Sequence, residues 1–241
     1  MKKLCFVLSV AAIVGSASAK DLYSSAETHP YSVFGVCLAD PLQLPPANWN
    51  IRGLRLDIFY GRNYDLYGLD LGLVGRCDDD LFGAAIQAAS WVEGDMYGFQ
   101  FGALFNIVNG DMRGFQLATL VNRVHNAAVG AQIACVNHNG AFFGGQLGLV
   151  NWNKGISSGL QFGLVNAGLN DFNGWSFGVV NYAMRQRGLQ FGFVNVIDEV
   201  GSGLQIGAFN AAPKFEGVQI GFINVLGNGE MPIMPVFNAC F

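Results

Sequence analysis

Arg55, Asp57 and Asp70 are the sharpest local candidates for chemistry in this chain, which has three histidines. The three charged residues share one parity within two neighbouring phrases, Gly53-Leu-Arg-Leu-Asp-Ile-Phe-Tyr60 and Gly68-Leu-Asp-Leu-Gly-Leu-Val-Gly75. A turn at Asn63-Tyr64 would set Asp57 opposite Asp70. Facing carboxylates repel, so Arg55 is expected between them, or one carboxyl holds a proton or a cation. Such a cluster would constrict or tune a lumen; the alternative is a structural salt bridge against solvent. His125 and His138 fall beside turn residues, and His29 lies in a polar lead-in. No Gly-x-Ser-x-Gly elbow is present. The glycines from Gly159 to Gly163 lack the Lys-Ser/Thr that closes a phosphate loop. The expectation is a non-enzyme with no catalytic residues, no metal and no cofactor.

The elements that would position these residues come from one repeated phrase. Gly159-Leu-Gln-Phe-Gly-Leu-Val-Asn166 returns as Gly188-Leu-Gln-Phe-Gly-Phe-Val-Asn195, Gly203-Leu-Gln-Ile-Gly-Ala-Phe-Asn210 and Gly217-Val-Gln-Ile-Gly-Phe-Ile-Asn224. The copies recur every 14–16 residues from Asn106 to Asn238, and a repeat of this kind governs architecture. Large apolar residues alternate with Gly, Gln and Gly, the period-two pattern of a β-strand with one oily and one polar face. The repeat glutamines are Gln100, Gln116, Gln132, Gln146, Gln161, Gln190, Gln205 and Gln219. Ser176, Ala118 and Ala134 are departures that keep the small face compact.

Asn109-Gly110 and Asn139-Gly140 sit between phrases and read as hairpin turns. Reversing the chain about Lys154-Gly155 sets Gln146 opposite Gly163 and Leu147 opposite Phe162. The expected fold is therefore all-β: an up-and-down antiparallel β-barrel of about 14 strands, built from 14–16-residue repeats, with its oily face toward lipid. The alternative is a β-solenoid with one coil per repeat, Leu/Phe/Leu packed inside and the asparagines stacked as a ladder.

Residues 1–19 read as a signal peptide: Lys2 and Lys3, an apolar run from Leu4 to Gly15, and the small residues Ser16-Ala-Ser-Ala19. Residues 20–52 form an N-terminal segment with a first strand, Tyr31 to Leu38, and a Pro-rich connection, Pro41 to Asn50. Residues 53–241 form the repeat β domain. The composition is 51% hydrophobic and only 12% charged, with 33 glycines; soluble domains carry about twice that charge. The net charge of −4 is mild and no basic stripe appears, so nothing recommends a nucleic-acid partner, and none is expected. Cys37, Cys77, Cys135 and Cys240 remain after the leader as buried thiols or as one or two disulfides, with three connectivities open. The expected partners are outer-membrane lipid for a barrel and host or surface ligands for a surface-displayed adhesin or binding scaffold, and the expected location is the outer membrane or cell surface.

The set of Gly-Leu-Gln-Φ-Gly-Φ-Φ-Asn copies, with the lead-in Pro41-Leu-Gln-Leu-Pro-Pro46 and the exit Asn228-Gly-Glu-Met-Pro-Ile-Met-Pro-Val-Phe-Asn238, resembles a bacterial surface-repeat family best known from spirochaetes. The resemblance implies export and an envelope or surface location. It implies no activity and carries over no functional residues.

Overall fold

The computed structural model describes residues 29–229 and 231–241; the expected leader, residues 1–19, lies outside the described residues. The chain begins with β1 (Tyr31–Ala39), β2 (Leu42–Leu44), β3 (Asn50–Asn63), β4 (Leu66–Cys77) and β5 (Leu81–Val92). Then come β6 (Met96–Val108), β7 (Met112–Ala118), β8 (Val121–Ile133), β9 (Val136–Leu147) and β10 (Val150–Asn153). β11 (Ser157–Phe162), β12 (Val165–Ile206), β13 (Phe209–Ala212), β14 (Lys214–Leu226) and β15 (Ile233–Cys240) complete it. Together they wind into a β-solenoid of about 13 turns.

Successive turns run the same way, which overturns the antiparallel barrel of about 14 strands. β3 lies parallel to β4, with Gly53 beside Gly68 and Arg55 beside Asp70. Later copies stack in like manner: Gln100 beside Gln116, Gln132 beside Gln146, Asn151 beside Asn166. Gln146 therefore meets Gln161, not Gly163. The physical reason is that two stacked amides satisfy each other, whereas an amide beside a glycine gains only room. The Asn-Gly pairs do not reverse the chain either. Asn109 and Gly110 donate their backbone N–H groups to the carbonyls of Val92 and Gly94 on the turn before, so these arcs stack coil upon coil.

The solenoid alternative is right in its asparagine ladder and wrong about its core. Leu160, Phe162 and Leu164 point outward and are exposed, while Gln161 and Asn166 are buried. The apolar part of the interior comes from two other columns. One is the residue two places before the repeat glycine, such as Ile51, Leu66, Met96 and Phe142; the other lies two places after the repeat asparagine, such as Val108 and Val124. Period-two alternation explains both: the first column shares a strand face with the repeat Gln, two steps away, and the second with the repeat Asn, one step away.

The repeat glycine itself has one physical reason to be there. Twelve of them, from Gly53 to Gly217, have φ between +119° and +157°. A Cβ on Gly159 would sit 1.9 Å from the carbonyl oxygen of Gly144 on the preceding turn. Side chains are thus excluded by both conformation and contact.

Both ends of the stack are closed by a reversed strand. β2 pairs antiparallel with β1, and β15 pairs antiparallel with β14. The last expected copy, Met231 to Asn238, turns back instead of adding a coil. Prolines 41, 45 and 46 flank β2, and prolines 232 and 235 lie at and within β15. Short, proline-marked edges resist further strand addition. Among the described residues, no helix is long and apolar enough to cross a membrane.

The glycine column yields a paired prediction. Gly159→Ala should lower stability by about 3 kcal/mol, through backbone clash and strain. Gly145→Ala, where nothing lies within 4 Å of the new methyl, should change it by less than about 0.5 kcal/mol. Urea denaturation midpoints of the two variants check both.

Candidate functional site

Inside the coil, the polar side chains are consumed by structure. The repeat asparagines form an unbroken amide ladder from Asn106 through Asn122, Asn137, Asn151, Asn166, Asn181, Asn195 and Asn210 to Asn224, with steps of 2.8–3.1 Å. Each Nδ2 also donates to a backbone carbonyl of the next turn: Asn151 to Phe162, Asn166 to Phe177, Asn195 to Ile206. One –NH₂ thereby serves the next rung and a carbonyl that also accepts a backbone N–H from the turn before, as Phe177 O does from Gly163. The glutamines run alongside, Gln161 to Gln146 to Gln132 to Gln116 to Gln100, and again Gln219 to Gln205 to Gln190. All eight glutamines singled out by the repeat are buried.

The glutamine ladder breaks at Ser176, which is too short to bridge. Gln186 compensates, accepting from Gln190 Nε2 at 2.6 Å. Asn139 and Asn153 join the same interior network through Gln132 and Gln146. None of these three stands out in the repeat pattern. Their only signal is a polar residue in a column that is mostly apolar.

Arg55, Asp57 and Asp70 do come together, buried at the first turns of the same columns. Arg55 holds Asp70 through Nε and Nη2 at 2.9 and 2.5 Å and lies 3.2 Å from Asp57. The expected arginine between two carboxylates is present, but its geometry differs from the hairpin reading. Arg55 stands beside Asp70, and Asp57 beside Gly72. Gln87 completes the cluster, donating to Asp70 at 2.6 Å and to Asp57 at 3.2 Å. Ala85 occupies the column's ordinary glutamine place, so Gln87 reaches in from two residues further along. Burial raises the Asp57 carboxyl well above the usual range; Arg55 opposes this and the Asp70 charge adds to it. The role of tuning a lumen falls with the barrel: the cluster is the ionic first rung of a solid interior.

The exterior is organised the other way round. Counting the repeat glycine as position 1, positions 2, 4, 6 and 7 form outer columns that contain no charged residue in any of the twelve glycine-marked coils. Position 6, at the corner, is the most open: Phe193 is 65% and Phe222 80% exposed. Rings stack along the columns, Phe162 on Phe177 at 4.8 Å and Phe82 on Tyr97 at 4.7 Å, which is the spacing of neighbouring strands. At the borders of this surface, arginines interleave with aromatics. Arg52 lies over Tyr31 and Tyr67, Arg76 over Trp91, and Arg113 over Tyr97, at 4.8–5.8 Å.

The remaining edge is polar and carries an aspartate column that is not among the expected site residues. Asp65 Oδ1 accepts the Asp80 amide, Asp80 the Asp95 amide, Asp95 the Asp111 amide and Asp111 the Ala127 amide. The signal lay in their spacing of 15, 15 and 16 residues. Further along this edge the apolar interior is interrupted by Asn153, Gln186 and Gly201, and a cleft of about 470 Å³ opens there between Asp171, Arg185, Arg187 and Glu216. Arg185 is ion-paired to Asp171. His138 packs edge-on to Trp152. The four cysteines are free thiols, so none of the disulfide connectivities forms. No group of His, Cys, Asp and Glu among the described residues could hold a metal ion. No protein-family model, curated protein or solved structure matches this chain.

The aspartate column makes stability depend on pH. Burial is the main cause lifting Asp65 and Asp80 to about 6, with neighbouring aspartates adding to it and the accepted amide bonds opposing. The folded chain thus holds these protons to a higher pH than the unfolded chain, whose carboxyls titrate near 3.8. Their contribution is full below about pH 4 and is lost as pH rises through about 6. Asn50 already fills the first place of this column, accepting the Asp65 amide. Asp65→Asn with Asp80→Asn should therefore fold and show a flatter stability profile between pH 4 and 7. Denaturation midpoints across that range measure it.

Proposed function

We propose that this chain is an exported, non-enzymatic β-solenoid that acts as a binding scaffold at the outer membrane or cell surface. The observation that carries this reading is the outer surface. Soluble monomers rarely expose contiguous apolar patches beyond a few hundred Å², and here four uncharged columns run the length of the stack. A surface of that size implies a partner that covers it. The amide ladders support a non-enzymatic role, since they commit the buried polar side chains to one another. The leader-like N-terminus and the resemblance to spirochaete surface-repeat proteins support export. The mild negative charge gives no reason to propose a nucleic-acid partner.

Expressed with its own leader in a Gram-negative host, the chain should shorten by the leader, sediment with the envelope and need detergent for release. External protease should cut it on intact cells. Recovery as a soluble cytoplasmic protein would contradict the proposal.

A further inference from the structure

We infer that the solenoid lies along a lipid bilayer, its axis in the membrane plane, with the corner formed by positions 5 to 7 sunk into the acyl chains of one leaflet. This rests on the scaffold reading and names its partner. Three features of the outer surface point to lipid.

The first is how the apolar columns wrap. Positions 2 and 4 lie on one flank, position 6 at the corner and position 7 on the other flank. A second copy or a flat partner would cover one flank and leave the corner or the opposite flank in water. A fluid occupant covers all of them at once.

The second is depth. From position 2 to position 6 the strand advances four residues, about 13 Å, and from position 6 to position 9 about 10 Å. One leaflet's hydrocarbon is about 15 Å deep, half of a core about 30 Å thick. The corner therefore fits within one leaflet and is too shallow to span both.

The third is what stands at the upper limit of each flank. The outward column just before the repeat glycine carries Arg52, Arg113 and Arg187, with Tyr67, Phe82 and Tyr97 among them. The outward column just after the repeat asparagine carries Arg62, Arg76 and Arg123, with Trp91, Trp152 and Tyr182. Six of the chain's eight arginines thus lie in two border columns mixed with aromatics. Arginine and amphipathic rings at this level are the anchors of a membrane interface. Glu216 is the one acidic residue in the first of these columns; Asp65, Asp80, Asp95 and Asp111 lie beyond them, on the edge that would face water.

The interior chemistry makes such immersion tolerable. Hydrocarbon offers no partner to a backbone carbonyl, and at the corner Asn166 and its equivalents already bond the carbonyls of the arc.

The test uses the mature full chain with phosphatidylethanolamine/phosphatidylglycerol (3:1) vesicles. Two single-tryptophan chains are made with the other tryptophans replaced by Phe: one keeps Trp49, on the polar edge, and one carries Phe193→Trp. Bromine placed deep in the acyl chains should quench the Phe193→Trp chain strongly and leave Trp49 unchanged. Phe193→Glu with Phe222→Glu, both on exposed positions, should leave the circular dichroism spectrum intact and cut vesicle partitioning at least about tenfold. Equal quenching of both tryptophans, no partitioning, or a discrete dimer that shields the Phe193→Trp chain from bromine would overturn the inference. Envelope recovery in cells would still uphold the scaffold reading in those cases; only a soluble chain would remove both.

Discussion

A buried primary amide must find partners for two donors and an acceptor, and in this chain the repeat asparagines find them in an identical amide one turn away and in a backbone carbonyl of that turn. That requirement organises the molecule. Leaving a buried amide group unpaired costs about 1–3 kcal/mol, and the ladder repeats the choice at each coil. Only parallel, in-register stacking places Asn on Asn and Gln on Gln, so the direction of the chain, the length of the repeat and the glycine at each corner follow together. Nearest-neighbour contact of this kind also makes the stack quasi-one-dimensional, each coil held by the ones before and after it.

The same constraint turns the hydrophobic pattern outward. With the strand face that carries Gln and Asn committed to the interior, strict alternation sends Leu, Phe and Ile to the surface. The small apolar interior built from Ile51, Met96, Val108 and Phe142 lies toward the charged edge, while the amide ladders lie behind the oily corner. Polar chemistry inside thus backs an apolar surface outside. This is why the exterior, and not a pocket, is the most informative feature of the chain. The cleft near Arg187 exists for a lesser reason: Gln186 and Gly201 leave gaps in a column that is elsewhere filled by large apolar side chains.

Much of this was legible in the residues, and the misreadings have a common cause. Which face was small and polar, that it points away from the oily surface, and that Arg55 sits between two carboxylates all followed from alternation. Strand direction did not, because a phrase of Gly, Gln and Gly pairs acceptably in both senses: reversed, Gln meets the space of Gly; in parallel, Gln meets Gln. Local complementarity is degenerate there, and the closing asparagine, which has no use in a reversed pairing, was the residue that discriminated. The Asn-Gly steps misled because their glycine serves close approach and not positive φ: a Cβ on Gly110 would sit 2.5 Å from the Gly94 carbonyl oxygen of the turn before. Gln87 and Gln186 escaped because each works outside the glutamine column, replacing the reach that Ala85 and Ser176 lack. The aspartate column escaped because a carboxylate near a turn looks solvated until its 15-residue recurrence is lined up with the amide of the next coil.

The most direct test of the parallel stack is a set of distances between spin labels at equivalent places, measured by double electron–electron resonance. With one label at Leu69 and the other at Leu160 or Leu204, the separations should grow with the number of coils, to about 29 Å and about 43 Å at about 4.8 Å per coil. Distances that level off or shorten as the second label moves along the chain would mean a sheet curling back on itself, and the parallel coil would be wrong.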